Sequence, residues 1–212
     1  MPARPPNAYR RVRRHIIFIF RSESDTGAYM EILFATSNRN KLLEAQRILG
    51  AAGISVAHFP FSHNEIRSDM LEDIAREAVG AAFKECGRPV FVEDAGLFIS
   101  ALNGFPGTYS GWVQKKIGNG GILRLLEGAT ERSAYFEACI AYHDGSRVTC
   151  FAGRCEGSIA SEPRGEGGFG YDPIFVPQGR PQTFAENIEL KNNLSHRYKS
   201  LLEFSKNLSS TR

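Results

Sequence analysis

Between Glu31 and Asp94 the sequence alternates between two hydrophobic periodicities, and this alternation limits the folds open to it. Glu31 to Ser37 reads as a buried strand, and Lys41 to Leu49 then carries apolar residues at helical spacing, Leu42, Ala45, Ile48 and Leu49. Gly50 and Gly53 close that helix. A second strand, Ile54 to Phe59, leads to a polar loop containing Glu65, after which Asp69 and Glu72 match a capping box for a helix running to Cys86 and stopped by Gly87. "PVFVED", Pro89 to Asp94, is then a strand ending in two carboxylates. The order strand, helix, strand, helix, strand implies a parallel α/β core with right-handed crossovers. Ligands of such sheets sit at the carboxyl ends of the strands.

Beyond Leu97 the character changes. "NGFPG", Asn103 to Gly107, is a turn cluster followed by helical stretches at Gly111 to Ile117 and Gly121 to Leu126. Ser133 to His143 and Arg147 to Cys155 flank an Asp144-Gly145 turn in the manner of a hairpin. "GEGGFGYDPIFVP" is a glycine-rich loop entering a strand, and the last 25 residues read as one helix with Leu194, Tyr198, Leu201 and Leu202 on one face. Neither an internal repeat nor a low-complexity linker interrupts the chain. The expectation is one α/β domain with two lobes around a cleft.

At 212 residues, 42% hydrophobic and 23% charged, the chain has the make-up of a globular protein with ample core. No apolar run approaches the roughly 20 residues of a transmembrane helix, and "HIIFIF", His15 to Phe20, is too short to span. Charge is unevenly placed. Residues 1–29 hold six arginines against Glu23 and Asp25, a balance of +4, whereas the whole chain is +3, so the remainder carries −1. Nucleic-acid affinity from a basic face is therefore not expected of the folded part, and only the arm could supply it. The arm is Arg-rich and acid-poor, as targeting presequences are. However, Met30 directly precedes the first convincing strand, so residues 1–29 read as an upstream extension, expected to be poorly ordered, with the domain over residues 30–212. The four cysteines, Cys86, Cys139, Cys150 and Cys155, form no C-x-x-C pair and meet no histidine at zinc-finger spacing. Reduced thiols in a cytoplasmic protein fit that pattern.

Three places could carry chemistry. In "FATSNRNKLLEAQRIL" a strand breaks into hydroxyls, an amide and a lysine at the start of a helix. Unpaired N–H groups and the positive end of the macrodipole suit an anion there, while Ser and Asn equally suit a plain N-cap. Glu93 and Asp94 at a strand end, with Glu65 in the preceding loop, are hard oxygen ligands of the kind Mg²⁺ takes together with waters and phosphates; a solvated strand end with helix-capping acids is the other reading. Lys191, His196 and Arg197 precede an amphipathic stretch, where they could meet phosphate or a purine O6, or simply begin a solvated helix. Gly165, Gly167 and Gly170 satisfy G-x-G-x-x-G, but Tyr-Asp-Pro-Ile follows and cannot open the helix a dinucleotide site needs. No P-loop pattern exists.

Taken in order, these pieces resemble the Ham1-like inosine triphosphate pyrophosphatase family. "TSNRNK" is similar to the family's [ST]-x-N-x-x-K, "VEDAGL" to E/D-D-[ST]-G-L, "GFPGTYSG" to G-x-P-G-x-Y-S, "GGFGYDPIF" to its glycine loop and "KNNLSHR" to K-x-x-x-S-H-R. The blocks span residues 31–205 in family order. The resemblance implies an elongated mixed central sheet with flanking helices, a homodimer, and Mg²⁺ held by Glu65 and Asp94, with Asp94 also activating water. It implies that Thr36, Asn38 and Lys41, with Ser37 in the same turn, grip a triphosphate. Phe169, Gly170, Tyr171 and Asp172 would enclose base and sugar beside Ala95, and Lys191, His196 and Arg197 would read the purine edge. Water would attack the α-phosphorus of ITP, dITP or XTP, releasing the monophosphate and pyrophosphate. Arg and Lys donors match the acceptor O6 of hypoxanthine and xanthine. Facing the adenine amino group they would be left unpaired, at about 1–3 kcal/mol for each buried group.

The chain departs from the pattern at Ala95, where Ser or Thr is usual, and in the helix from Asp69 to Cys86, whose only bases are Arg76 and Lys84 instead of a mid-helix lysine directed at phosphate. Residues 1–29 have no family counterpart. Two rivals remain at this point: a Maf-like pyrophosphatase acting on dTTP or UTP, against which the S-H-R block argues, and a nucleic-acid-binding module using the arginine arm.

Overall fold

A computed structural model describes residues 30–210; the order expected of the N-terminal extension lies outside the described residues. Strand β1 (Met30–Ala35), helix α1 (Arg39–Gly50), strand β2 (Ile54–Phe59), helix α2 (Leu71–Cys86) and strand β3 (Val90–Ile99) follow the predicted alternation. β1 lies between β2 and β3 and is parallel to both. Helix α1 buries Ala45, Ile48 and Leu49, and α2 ends on Gly87 in the left-handed region, φ 63°. Its start differs from expectation. Asp69 and Glu72 form no capping box: the N-cap position is Met70, which makes no side-chain cap. Instead the Ser68 hydroxyl accepts from the Met70 amide at 3.1 Å and donates to Asp73 at 2.9 Å.

Strand β3 does not stop at Asp94. It runs on to Ile99 because β5 (Ser133–His143) pairs with it antiparallel along its whole length, from Val90 opposite His143 to Ile99 opposite Ala134. β6 (Val148–Ile159) returns through a turn in which the Asp144 carboxylate accepts from the Ser146 and Arg147 amides. β7 (Phe175–Pro177) pairs with β6, and the short β4 (Pro106–Gly107) pairs with β3. The path is therefore β2-β1-β3-β5-β6-β7, a mixed sheet whose parallel part is confined to three strands. The two helical stretches after the turn cluster merge as α3 (Ser110–Leu125), kinked at Gly118. The C-terminal segment is two helices instead of one, α4 (Ile188–Leu194) and α5 (His196–Ser210), because Ser195 between them is extended and its hydroxyl accepts from the Tyr198 amide at 3.2 Å. Leu202 leaves the predicted apolar face; Leu201, Phe204 and Leu208 form it. Among the described residues no helix is long and apolar enough to cross a membrane.

The two-residue period of β3 sorts its side chains between layers. Phe91 packs with Phe34, α1 and α5 on one face, while Val90 and Val92 pack against α2 on the other. A third cluster, including Leu97, Ile99, Val113, Phe136, Phe175 and Phe184, fills the second lobe. By the same alternation Glu93 falls on the α1/α5 face and Asp94 on the α2 face, so the neighbouring acids do not form a pair at a strand end.

The first turns of α5 lie almost against β6. A Cβ on Gly153 would meet the His196 carbonyl oxygen and the Ser200 amide nitrogen, both backbone atoms that cannot turn aside. We expect Gly153→Ala to lower stability by about 1–3 kcal/mol, the range for overpacking, measured as a lower urea midpoint with unchanged m-value.

Candidate active site

A cleft of about 520 Å³ opens between the lobes, and every residue predicted for the site lines it. The turn after β1, the β2–α2 loop, the middle of β3, the start of α3, the glycine-rich loop and the α4–α5 junction all converge there.

At the turn after β1, Asn38 is the N-cap of α1, its side-chain oxygen accepting from the Asn40 amide at 3.0 Å and the Lys41 amide at 3.2 Å. Thr36 Oγ1 accepts from the Asn38 amide at 3.0 Å, which fixes the entry to the cap. Lys41 Nζ donates to the Glu93 backbone carbonyl and to its carboxylate, each at 3.0 Å.

That contact is one link of a buried charge network that sequence reasoning did not find. Glu93 sits between Lys41 and Arg197, at 3.0 and 3.1 Å. Glu44 sits between Arg197 and Lys191, at 2.7 Å from each. Asp172 accepts from Lys191 and from the Phe169 amide, both at 2.7 Å. Burial alone would push the Glu93 and Glu44 carboxyls up, but Arg197 with Lys41 at the first, and Arg197 with Lys191 at the second, hold both below the ordinary range. At Asp172 burial prevails over Lys191 and the carboxyl is raised. Glu44 did carry a sequence signal: it follows Lys41 by three residues, which puts both on one side of α1.

The purine-reading candidates are thus less free than expected. Both Arg197 terminal nitrogens are engaged by acids, whereas its buried Nε has no partner, and neither has His196 Nδ1. His196 is stacked on Phe136, ring centroids 4.5 Å apart. Burial, then the Arg197 and Lys191 charges, hold its pKa well below the usual value, so the ring is neutral near pH 7. Phe169 lies over Lys191 Nζ, 4.1 Å from the ring centroid. Its loop is fixed by Gly168 (φ 71°), where a Cβ would strike the Asp172 carboxylate, and by the Gly170 carbonyl, which accepts from Gln114 Nε2 at 2.9 Å and Asn119 Nδ2 at 3.1 Å. Tyr171 is buried, its hydroxyl donating to the Ser110 carbonyl at 2.9 Å. Gln114 and Phe136 were not anticipated, since neither belongs to a charged or glycine-rich block.

Asp94, across the sheet from this network, is half-buried, with the Ala95 amide donating to it at 2.9 Å. Its pKa is raised to about 6, chiefly by burial, with Glu93 and Glu65 adding to the rise and Lys41 opposing it. Glu65 is exposed and lines the same cleft. Two acids lining one cleft fit Mg²⁺, which takes one or two carboxylates and completes its shell with water and phosphate oxygens. No group of three or more candidate ligands occurs among the described residues, so an all-protein metal cage is not what is built.

Residues 32–207 match the model of the Ham1 family. A dITP/XTP pyrophosphatase of Methanopyrus kandleri is 50% identical over 82% of this chain and 94% of its own length, and one of Pyrococcus horikoshii is 44% identical over 82% and 95%. Among solved structures, a HAM1 protein from Coxiella burnetii superposes with TM-score 0.73 at 34% identity, covering 85% of this chain and 98% of that one. The Staphylococcus aureus Ham1 protein gives 0.75 at 29%, covering 86% and 100%.

Glu44→Gln keeps the size of the side chain but leaves Lys191 and Arg197 short of a counter-charge, and breaking a buried pair costs roughly 3–5 kcal/mol. Because the folded-state pKa of Glu44 lies below its ordinary 4.5, its contribution is present above that value and is lost as pH falls through the depressed pKa. Urea titrations from pH 3 to 7 should show the variant less stable near neutrality and its acid limb flatter than that of wild type.

Proposed function

The chain belongs to the Ham1 family, and from that premise we propose that it hydrolyses non-standard purine nucleoside triphosphates, ITP, dITP and XTP, to the monophosphate and pyrophosphate. The observation that carries the reading is the cleft itself, which has a helix N-terminus and Lys41 on one side, unpartnered base-reading atoms on His196 and Arg197 on another, and Asp94 between the lobes. The Maf-like rival loses support because the family match runs through the S-H-R block. The arginine-arm rival rests on residues outside the described part. We read residues 30–212 as the catalytic domain.

In this proposal the polyphosphate lies at the start of α1, along Thr36, Ser37 and Asn38, where Lys41 meets its charge. The base enters beside Phe169 and is enclosed by Gly170, Tyr171 and Asp172, with Ala95 at the sugar end. Neutral His196 and the Arg197 Nε–H offer hydrogen bonds to the O6 edge, and Lys191, held by Glu44 and Asp172, keeps the donor character of that wall fixed. Adenine presents an amino donor to the same wall and leaves both sides unmet. Asp94 positions the attacking water. Magnesium held by Asp94 and Glu65 would neutralise charge building on the phosphoryl oxygens. The homodimer is supported by the exposed Phe105, Tyr109 and Trp112, a cluster of apolar surface around the start of α3. Cytoplasmic placement is supported by the four free cysteines.

Pyrophosphate release measured across ITP, dITP, XTP, GTP, ATP and dTTP tests the assignment; fastest turnover of the first three is expected, and preference for dTTP or inactivity on all six would overturn it. Asp94→Asn removes the charge while keeping the shape, so ITP turnover should fall by about two to four powers of ten with the melting profile retained. Near wild-type turnover in that variant would remove Asp94 from the site.

A further inference from the structure

On the α2 face of the sheet, the face that carries Asp94, two thiols take no part in the reaction described above. Cys139 of β5 stands opposite Asp94 of β3 on one side and opposite Ala152 of β6 on the other. Cys150 of β6 stands opposite Ala141, one pleat along, so the two cysteines share a face and are diagonal neighbours across adjacent strands. Each thiol is near enough to shift the ionisation of the other. They differ in access. Cys139 is 3% exposed within the α2 core, whereas Cys150 is half-buried at the rim of the same cluster.

Arg76 of α2 stands over that rim. Its Nη1 donates to the Val148 carbonyl at 3.4 Å and its other nitrogens hold Glu72, so the guanidinium is fixed beside Cys150. The Cys139 thiol first, and then the Arg76 guanidinium, hold the Cys150 thiol below its usual range against burial and the Glu72 carboxylate. Cys155 is buried in the second-lobe core and Cys86 ends α2, so neither belongs to this pair.

We propose that Cys139 and Cys150 are an oxidisable dithiol site, closed to an intrachain disulfide by hydrogen peroxide, and that closure slows the chemistry at Asp94 one strand away. The Cys150 thiolate attacks a peroxide oxygen, the O–O bond breaks, and the leaving hydroxide takes a proton to become water, giving a sulfenic acid. Cys139 sulfur then attacks the Cys150 sulfur and expels the sulfenic oxygen, which leaves as water with the Cys139 proton. Two thiols and one peroxide become one disulfide and two waters, with both electrons going to the peroxide. The cross-link draws β5 toward β6 at the residue that faces Asp94 in register.

The test is peroxide treatment of the full chain, read first by mass without any nucleotide and then by ITP turnover, since only the second reading rests on the proposed hydrolase function. Expected are a loss of about 2 Da, the two hydrogens, a peptide joining Cys139 to Cys150, and slower turnover, all reversed by dithiothreitol. Cys150→Ala should keep basal turnover and abolish both the cross-link and the sensitivity. Cys139→Ala should leave a Cys150 sulfenic acid that dimedone traps, and Cys86→Ser should respond as wild type does. Absence of the Cys139–Cys150 peptide in oxidised wild type, or its formation with turnover unchanged, would overturn the proposal.

Discussion

The Glu93 carboxylate organises this molecule. It is almost wholly shielded from water, a position costing an isolated charge several kcal/mol, and it is tolerable only because Lys41 and Arg197 approach it at 3.0 and 3.1 Å. Arg197 in turn requires Glu44, Glu44 requires Lys191, and Lys191 requires Asp172. Each ion removed from the set would strand its neighbours, so the network joins β3, α1, α4, α5 and the glycine-rich loop into one arrangement. Such a network is weak grounds for overall stability, since apolar replacements of equal volume can do as well. What it supplies here is register: α5 must begin where Arg197 can reach two acids on two different elements.

The alternation of β3 then divides the labour. Glu93 turns to the face that holds the cations and His196, and Asp94 turns to the face that holds Glu65. On one side Lys41 Nζ and the terminal nitrogens of Arg197 are already paired with acids. The other side keeps an acidic site whose Asp94 is raised to about 6 chiefly by burial, against the pull of Lys41. One peptide unit thus separates the side chain that ties the cations together from the one that shares the cleft with Glu65.

The elements with strong periodicity were legible in the sequence. α1, β2 and the β5–β6 hairpin fall where the apolar spacing and the Asp144-Gly145 turn put them, and the blocks "TSNRNK", "VEDAGL" and "KNNLSHR" mark residues that meet in the cleft. What was not legible depended on pairing at a distance. The true end of β3 is set by β5, whose Ala134 pairs with Ile99, and the break at Ser195 is set by a hydroxyl bond that composition does not announce. Glu44 was not singled out in the sequence because the cations that claim it come from residues 191 and 197. Similarly, Leu202 fits an apolar stripe as well as Phe204 does until the sheet beneath α5 chooses between them.

Strands β3, β5 and β6 run unbroken for 10, 11 and 12 residues through both lobes. Hinged domains turn about a few residues whose backbone angles can change freely, and a three-strand ladder crossing the waist of a molecule offers none. The lobes are consequently girders of one beam along these three strands, and a movement of one against the other would have to bend or twist the ladder instead of pivoting on a loop. The opposite wall of the cleft is held by shorter ties, the Gly168 backbone against the Asp172 carboxylate and the Gly170 carbonyl accepting from Gln114 and Asn119. The shape of the cleft is thereby tied to the pairing of β3, β5 and β6 along their full length.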